Sequence, residues 1–176
     1  MPDAMGGWGA ERRSVVLKAV ANAWSDEQNR SECNLFVASV VANATNGKIV
    51  FPVDANANAI CGLIQAKPWS VIGKGADSAM IAGVLAAHEG KLVVAAWRNP
   101  HPKEHGHCAI VLDFTTSKKP PSPDAARHIG ALMKNRAVIA QGKHHHPEQA
   151  SEYMKASLGF GSATLKGTVF SYVDIG

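Results

Sequence analysis

The chain has 176 residues, of which 46% are hydrophobic, and this length and composition suit one domain with a core of its own. Its three cysteines are too few, and odd in number, for a disulfide framework, which makes a reactive thiol the more economical explanation. The net charge of +4 favours an acidic or polyanionic partner, but the basic residues are scattered and no nucleic-acid-binding motif is present. We therefore expect no nucleic-acid binding. No run approaches the roughly 18 apolar residues of a membrane span, so we expect no membrane insertion either.

The N-terminal part predicts a tail followed by a helix. Residues 1–10 are rich in Gly and Met and indicate a flexible tail, and residues 11–176 indicate the single domain. Residues 12–23 loosely imitate a signal peptide, with two arginines and an Ala-Asn-Ala end, but Lys18 interrupts their short apolar run. An amphipathic helix at about 11–24 fits them better, and we therefore expect a protein made in the cytoplasm without a cleaved signal.

A second helix is predicted near the first cysteine. Ser31 is a suitable N-cap, and the apolar residues from there to about Asn43 recur at helical spacing. Residues 45–75 follow with many turn signals and one short apolar element near 59–64, so this segment predicts loops that line a substrate pocket. Trp69 lies in this segment, and we expect it to contact substrate there.

The rest of the chain alternates between helical and strand-like patterns. These patterns predict helices at about 78–88, 125–134 and 147–158, and strands at about 91–97, 107–114, 137–141 and 168–175. Because helices dominate the first half of the chain and strands the second, we predict an α+β fold in which N-terminal helices pack on a small antiparallel sheet.

Cys33 lies where the second helix begins, and this position favours a thiolate. The helix dipole and the unpaired N–H groups of a first turn stabilise negative charge, and a nearby His can hold the proton. Cys61 lies in a less regular segment. Cys108 follows His107 on a strand, where neighbouring side chains point to opposite faces. The pattern predicts Cys33 as the nucleophile, with Cys108 facing the core if His107 faces the site.

His107 is the predicted general base. It opens a strand, whereas His101 and His105 precede it in a loop, and a base needs a fixed orientation more than mere proximity. The preceding Gly106 carries no side chain and would leave the imidazole approachable.

Gln141 is the residue predicted to orient that imidazole through its other ring nitrogen. It stands at the end of the strand at 137–141, within reach of a neighbouring strand. Asp113 is the weaker choice, because it lies six residues farther along the strand of His107 and therefore at a distance from the imidazole.

A metal-binding module is an alternative interpretation of the same histidines. His101, His105, His107 and Cys108 are close in sequence, and His144, His145 and His146 form a second cluster. Zinc would suit such ligands, but the first cluster lacks a paired spacing and the second resembles a polar loop before Pro147. We therefore prefer a hydrolase that uses neither a metal nor another cofactor.

Three segments resemble the CHAP and NlpC-type papain-like amidases, with a similarity that covers roughly residues 24–175 in order and spacing. The segments are Cys-Asn-Leu-Phe-Val at 33–37, the helix-to-strand passage at 86–95, and Gly-His-Cys-Ala-Ile-Val at 106–111. In these families the Cys attacks a peptide amide of bacterial peptidoglycan, the His is base and acid, and a polar residue on the following strand orients it. The resemblance implies a papain-like fold and these roles for Cys33, His107 and Gln141. The chain departs from many relatives at Glu32, at Asn34, and at Cys108, where Val is usual.

Size, basic charge and the expected lack of a signal further resemble the amidase effectors of type VI secretion systems. Such toxins are made in the cytoplasm, engage a component of the secretion apparatus and act in the periplasm of a target bacterium. In kin they are neutralised by a cognate immunity protein, which we expect to occlude the active site around Cys33. A phage or housekeeping cell-wall endopeptidase is the alternative with the same chemistry.

Overall fold

The structure, a computed structural model, describes residues 6–75, 78–112, 138–141 and 151–176. Its helices are α1 (Gly6–Ser25), α2 (Glu27–Ser31), α3 (Cys33–Ala44), α4 (Ala57–Leu63), α5 (Ser78–His88) and α6 (Ala156–Leu165), and its strands are β1 (Ser70–Lys74), β2 (Leu92–Trp97), β3 (His107–Leu112), β4 (Val138–Gln141), β5 (Ser151–Lys155) and β6 (Val169–Val173). The fold is α+β, as the sequence predicts. None of the described helices is long and apolar enough to cross a membrane.

The strands of the described residues form one antiparallel sheet in the order β1-β6-β2-β3-β4-β5. β2 and β3 pair from Val93 opposite Val111 to Trp97 opposite His107. β6, although last in the chain, lies between β1 and β2. β4 pairs with the other edge of β3, which brings Gln141 to the strand beside that of His107.

Helices cover both faces of this sheet. On the face that we call the α3 face, α1, α3 and α4 pack on alternate residues of the central strands, namely Leu92, Val94 and Ala96 in β2 and Cys108, Ile110 and Leu112 in β3. On the opposite face, which we call the α5 face, α5 and α6 pack on the intervening residues, including Val93, Ala95, Ala109 and Val111. Because side chains alternate along a strand, the continuous apolar runs of β2 and β3 are buried on both sides.

The position of α3 is set by its apolar side. Phe36, Val37, Val40 and Val41 have no exposed surface. α1 packs beside them with residues at spacings of three and four, namely Val16, Ala19, Val20 and Ala23, as an amphipathic helix requires. Full burial of one large apolar side chain stabilises a fold by roughly 1.5–3 kcal/mol relative to exposure. The first turn of α3, which contains Cys33, is therefore held in place by the packing of the whole helix.

Two predicted boundaries near the N-terminus differ from the structure. α1 begins at Gly6, so it takes up part of the segment predicted as a tail, while residues 1–5 lie outside the described residues. Ser31 does not cap α3, because it is the last residue of the short helix α2. Its hydroxyl donates to the carbonyl oxygen of Glu27 at 3.0 Å and is used within that helix.

The largest differences lie in segments with weak or misleading local patterns. Residues 70–74, predicted as part of a loop region, form the edge strand β1, and residues 151–155, predicted as helical, form the edge strand β5. α6 extends beyond the predicted helix end through a glycine-containing stretch, with a non-helical backbone at Gly161 (φ 71°). Pairing with other strands decides these segments over local propensity. The helix predicted at 125–134 lies outside the described residues.

Candidate active site

Cys33 is the first helical residue of α3. The preceding residue, Glu32, has an extended backbone, and its carbonyl oxygen accepts the first helical hydrogen bond from the N–H of Phe36 at 3.0 Å. The N–H groups of the first turn have no partner within the helix, so they and the helix dipole stabilise negative charge at this end. Asn34 anchors the same turn, since its side-chain nitrogen donates to the carbonyl oxygen of Ala55 at 3.1 Å.

His107 is the first residue of β3, and Gln141 of β4 holds its ring. His107 Nε2 lies 2.6 Å from Gln141 Oε1. Because an amide oxygen can only accept a hydrogen bond, Nε2 donates it, and Nδ1 of the neutral ring is left as a proton acceptor. Phe160 of α6 packs edge-on to the imidazole, with ring centroids 4.8 Å apart. Gln141 itself is only 2% exposed, so the orientation of the imidazole is fixed by a buried amide and an aromatic ring.

Cys33 contacts both Cys108 and His107. A hydrogen bond with the Cys108 thiol is the largest influence on the pKa of Cys33, and with the hydrogen bond and charge of His107 it holds that pKa well below its usual value, although burial acts to raise it. The pKa of Cys108 lies well above its usual value, first because Cys108 is buried and then because Cys33 is beside it. Of the two thiols, Cys33 is therefore the one that favours the anion, and Cys108 favours the protonated form that can donate to it.

Trp69 and Cys61 are used in internal packing. Trp69, predicted to contact substrate, is 6% exposed and stacks on Phe51 with ring centroids 5.9 Å apart. The structure therefore places it in the core on the α3 face and not on the wall of an open groove. The thiol of Cys61 donates to the carbonyl oxygen of Ala96 at 3.6 Å, and burial raises its pKa.

The loop between β2 and β3 leads into His107, and Asn58 of α4 anchors it. Asn58 Oδ1 accepts from the backbone N–H of Asn99, and Asn58 Nδ2 donates to the carbonyl oxygen of Glu104, each at 2.9 Å. These bonds tie both ends of the loop to one side chain. Gly106 lies so close to Asn58 Oδ1 that a Cβ there would clash with it. The chain thus enters β3 at a fixed point, which positions the backbone of His107.

The described part of the chain contains no group of three or more His, Cys, Asp or Glu side chains placed to hold a metal ion. His101 lies in the anchored loop, where its backbone N–H donates to Asn99 Oδ1 at 2.9 Å. Asp113 and the cluster at 144–146 lie outside the described residues.

Three residues that shape the site are not among those predicted to act in it: Cys108, Phe160 and Asn58. Cys108 is buried, but the face of β3 on which it lies is the one that α3 covers, so its thiol meets Cys33. Strand alternation would reveal this contact from the sequence once the face covered by α3 is known. No local signal marks Phe160 or Asn58, because each comes from an element distant in sequence.

The chain matches no protein-family model, and a search of curated proteins returned no match either. What the site can do chemically follows from its own geometry. A thiolate at a helix N-terminus lies beside an imidazole whose second nitrogen is fixed by an amide, an arrangement suited to attack on an electrophilic carbon with proton transfer to a leaving group.

Proposed function

We propose that this protein is a cysteine amidase with a papain-like fold that hydrolyses an amide bond in the stem peptides or cross-links of bacterial peptidoglycan. The observation that carries the proposal is the chain of contacts from Cys33 to His107 and from His107 to Gln141. A nucleophile beside a base, with the base oriented by a third polar group, is the arrangement that covalent acyl-transfer catalysis requires.

In the proposed reaction, Cys33 Sγ attacks the carbonyl carbon of the amide. Because the pKa of Cys33 is lowered, the thiolate is available before the substrate arrives. Formation of that thiolate transfers the Cys33 proton to His107 Nδ1, the ring nitrogen that does not face Gln141, and Nδ1 then delivers this proton to the leaving nitrogen. The C–N bond then breaks, the amine departs, and the acyl group remains on Cys33 as a thioester.

Water completes the proposed cycle. His107 takes a proton from the water, which adds to the thioester carbonyl, and the C–S bond breaks to return Cys33 as a thiolate. The oxyanion of each step would lie at the N-terminus of α3, where the backbone N–H of Cys33 has no helical partner. One donor of this kind contributes about 2.7–4 kcal/mol to transition-state stabilisation in related chemistry.

Peptidoglycan is the proposed substrate on two grounds. The segments around Cys33 and His107 resemble those of CHAP and NlpC-type amidases, and a net charge of +4 would steer the protein to an anionic cell wall. Its size and basic charge resemble those of the amidase effectors of type VI secretion, and we further propose that it is such an effector, which engages a component of that apparatus and acts in the periplasm of a target bacterium. Its immunity protein would bind over Cys33.

Digestion of purified Gram-negative peptidoglycan tests this proposal. Wild-type protein should release new peptide fragments, and separation of the muropeptides by chromatography with mass spectrometry would identify the bond that is cut. Cys33→Ala should leave the profile of untreated wall, because the nucleophile is gone. Cys61→Ala is the matched control, since it removes another buried thiol of the same core and should keep the activity.

Circular dichroism of each protein would establish that the variants are folded. An unchanged muropeptide profile from folded wild-type protein would reject peptidoglycan as the substrate. Equal product from Cys33→Ala and wild type would reject Cys33 as the nucleophile.

A further inference from the structure

The core on the α3 face contains three thiols, and the proposed reaction uses only one as a nucleophile. Cys33, Cys61 and Cys108 are all free and buried in this one cluster. Cys108 is near both of the others. It pairs across the sheet with Ala96, whose carbonyl oxygen accepts from Cys61, and its thiol acts on the pKa of Cys33.

Cys33 and Cys108 belong to the same core cluster, where α3 packs on β3. Each thiol acts on the pKa of the other, so the two sulfurs are neighbours, which is the first geometric requirement of a disulfide. Cys33 lies at the start of a helix and Cys108 near the start of the strand on which that helix packs.

We propose that Cys33 and Cys108 form an intramolecular disulfide when the protein meets a hydroperoxide, so that the pair is an oxidative modification site with Cys108 as the resolving thiol. In the first step, Cys33 thiolate attacks one peroxide oxygen, the O–O bond breaks, and Cys33 becomes a sulfenic acid while hydroxide leaves. In the second, Cys108 sulfur attacks Cys33 sulfur, the S–O bond breaks, and water departs with the Cys108 proton. Two thiols and one hydrogen peroxide thus give one disulfide and two waters.

The pKa values of Cys33 and Cys108 determine which of the two thiols reacts first. Cys33 reacts first because its pKa is lowered and the thiolate is the form that attacks peroxide. Burial and the neighbouring Cys33 raise the pKa of Cys108. Once Cys33 is a neutral sulfenic acid, the part of this effect that comes from the Cys33 charge disappears, so oxidation of Cys33 also activates Cys108.

Cys61 is the rival partner for Cys108, and its surroundings disfavour it. Its thiol is engaged with the carbonyl oxygen of Ala96, and burial raises its pKa, so it offers little thiolate to begin the reaction. Formation of the disulfide between Cys33 and Cys108 requires only these two thiols and a hydroperoxide. Its effect on activity, a reversible block of the nucleophile, rests on the function proposed above.

Peptide mapping of peroxide-treated protein tests the proposal. Trypsin places the three cysteines on separate peptides, at residues 31–48, 49–74 and 104–118, so each possible pair gives a distinct linked mass. After brief hydrogen peroxide treatment and alkylation of the remaining thiols in denaturant, we expect peptide 31–48 linked to 104–118, with Cys61 alkylated. The link should disappear after dithiothreitol treatment.

Two variants sharpen the result. Cys61→Ala should form the same link, whereas Cys108→Ala should carry Cys33 on to sulfinic and sulfonic acids that dithiothreitol does not reverse. Peroxide-treated wild type with Cys108 still free, or with Cys108 linked to Cys61, would overturn the proposal. A Cys33–Cys108 link in protein that fails to digest peptidoglycan would leave this inference standing and reject the proposed function instead.

Discussion

The pKa of the Cys33 thiol is lowered in a place where burial acts to raise it. A carbon-rich surrounding raises a thiol's pKa, yet the pKa of Cys33 is lowered because two neighbouring side chains favour the anion. Cys108 is the stronger of these influences, and His107 adds a hydrogen bond and a charge. The reactivity of Cys33 thus depends on two adjacent residues of one strand.

The pH dependence of Cys33 alkylation should reveal the role of Cys108. A lowered pKa means that the thiolate persists as the pH falls, so wild-type Cys33 should react with iodoacetamide at pH values where ordinary thiols do not. Cys108→Ala should raise the pKa of Cys33 and slow alkylation at low pH by roughly 10- to 150-fold, since a hydrogen bond to a charged group is worth about 1.5–3 kcal/mol.

Cys108→Ser supplies the matched comparison, because a hydroxyl can still donate to the thiolate. It should keep the acid limb of the rate profile near that of wild type. Identical profiles for wild type and Cys108→Ala would show that Cys108 is not the donor.

For single residues, the sequence predicts the place of a side chain within its helix or strand better than the residues that it contacts. Cys33 and His107 begin regular elements, and Gln141 ends one, so element patterns point to all three. The burial of Trp69 depends on Phe51, which lies across a segment without regular periodicity, and no spacing rule joins them.

Among the elements, the loop between β2 and β3 fixes the backbone position of His107 most directly. α4 reaches this loop through Asn58, and the chain passes from the anchored residues straight into the first residue of β3. The orientation of the imidazole is thus set from two sides, by the loop at its backbone and by Gln141 at its ring.

Asn58→Ala should loosen this loop and weaken the contact between His107 and Cys33. We expect faster hydrogen exchange of the loop amides, above all that of Asn99, and slower alkylation of Cys33 at low pH, because both bonds of the side chain are lost. Both changes are measurable by mass spectrometry on the same sample.

Asn56→Ala is the control for lost helix stability. Asn56 caps α4 by accepting from the N–H of Ala59 at 2.9 Å, and its loss should cost about 1 kcal/mol without freeing the loop. If this variant changed the exchange of the loop as much as Asn58→Ala does, the anchoring role of Asn58 would be rejected.

Elements with strong periodicity are the ones that the sequence predicts. α3, β2, β3, β4 and β6 follow the predicted spans to within a few residues, because their apolar runs carry the signal. β1 and β5 are edge strands, and their pairing with β6 and β4 is a property of the sheet that neither segment encodes locally.

In the whole molecule, helices cover the sheet on both faces, whereas the predicted fold specified only the packing of the N-terminal helices on it. β2 reads Leu-Val-Val-Ala-Ala-Trp, a continuous apolar run and not an alternating one. Such a run is typical of a strand buried on both sides, so the second helical layer was implied by the residues of β2.

The order of strands also predicts the effect of a C-terminal deletion. Removal of residues 168–176 takes away β6, which is the only described strand that pairs with β1 and one of the two that flank β2. It also removes Phe170 and Val173 from the two cores. We expect the truncated protein to lose its cooperative thermal transition in circular dichroism.

A C-terminal extension after Gly176 is the matched control, because that residue is exposed and a Cβ there would meet no neighbour. It should unfold at nearly the wild-type temperature. A truncated protein with an unchanged transition would show that β6 is dispensable for the fold.

The placement of β6 has a consequence for the timing of synthesis. A ribosome delivers the helix of Cys33 early and the strand that joins β1 to β2 near the end of the stretch described here. Until that last strand emerges, β1 has no neighbour in the described sheet and the layer beneath the thiol is unfinished. The complete sheet on which α3 packs therefore exists only after β6 has been translated, however early Cys33 itself is made.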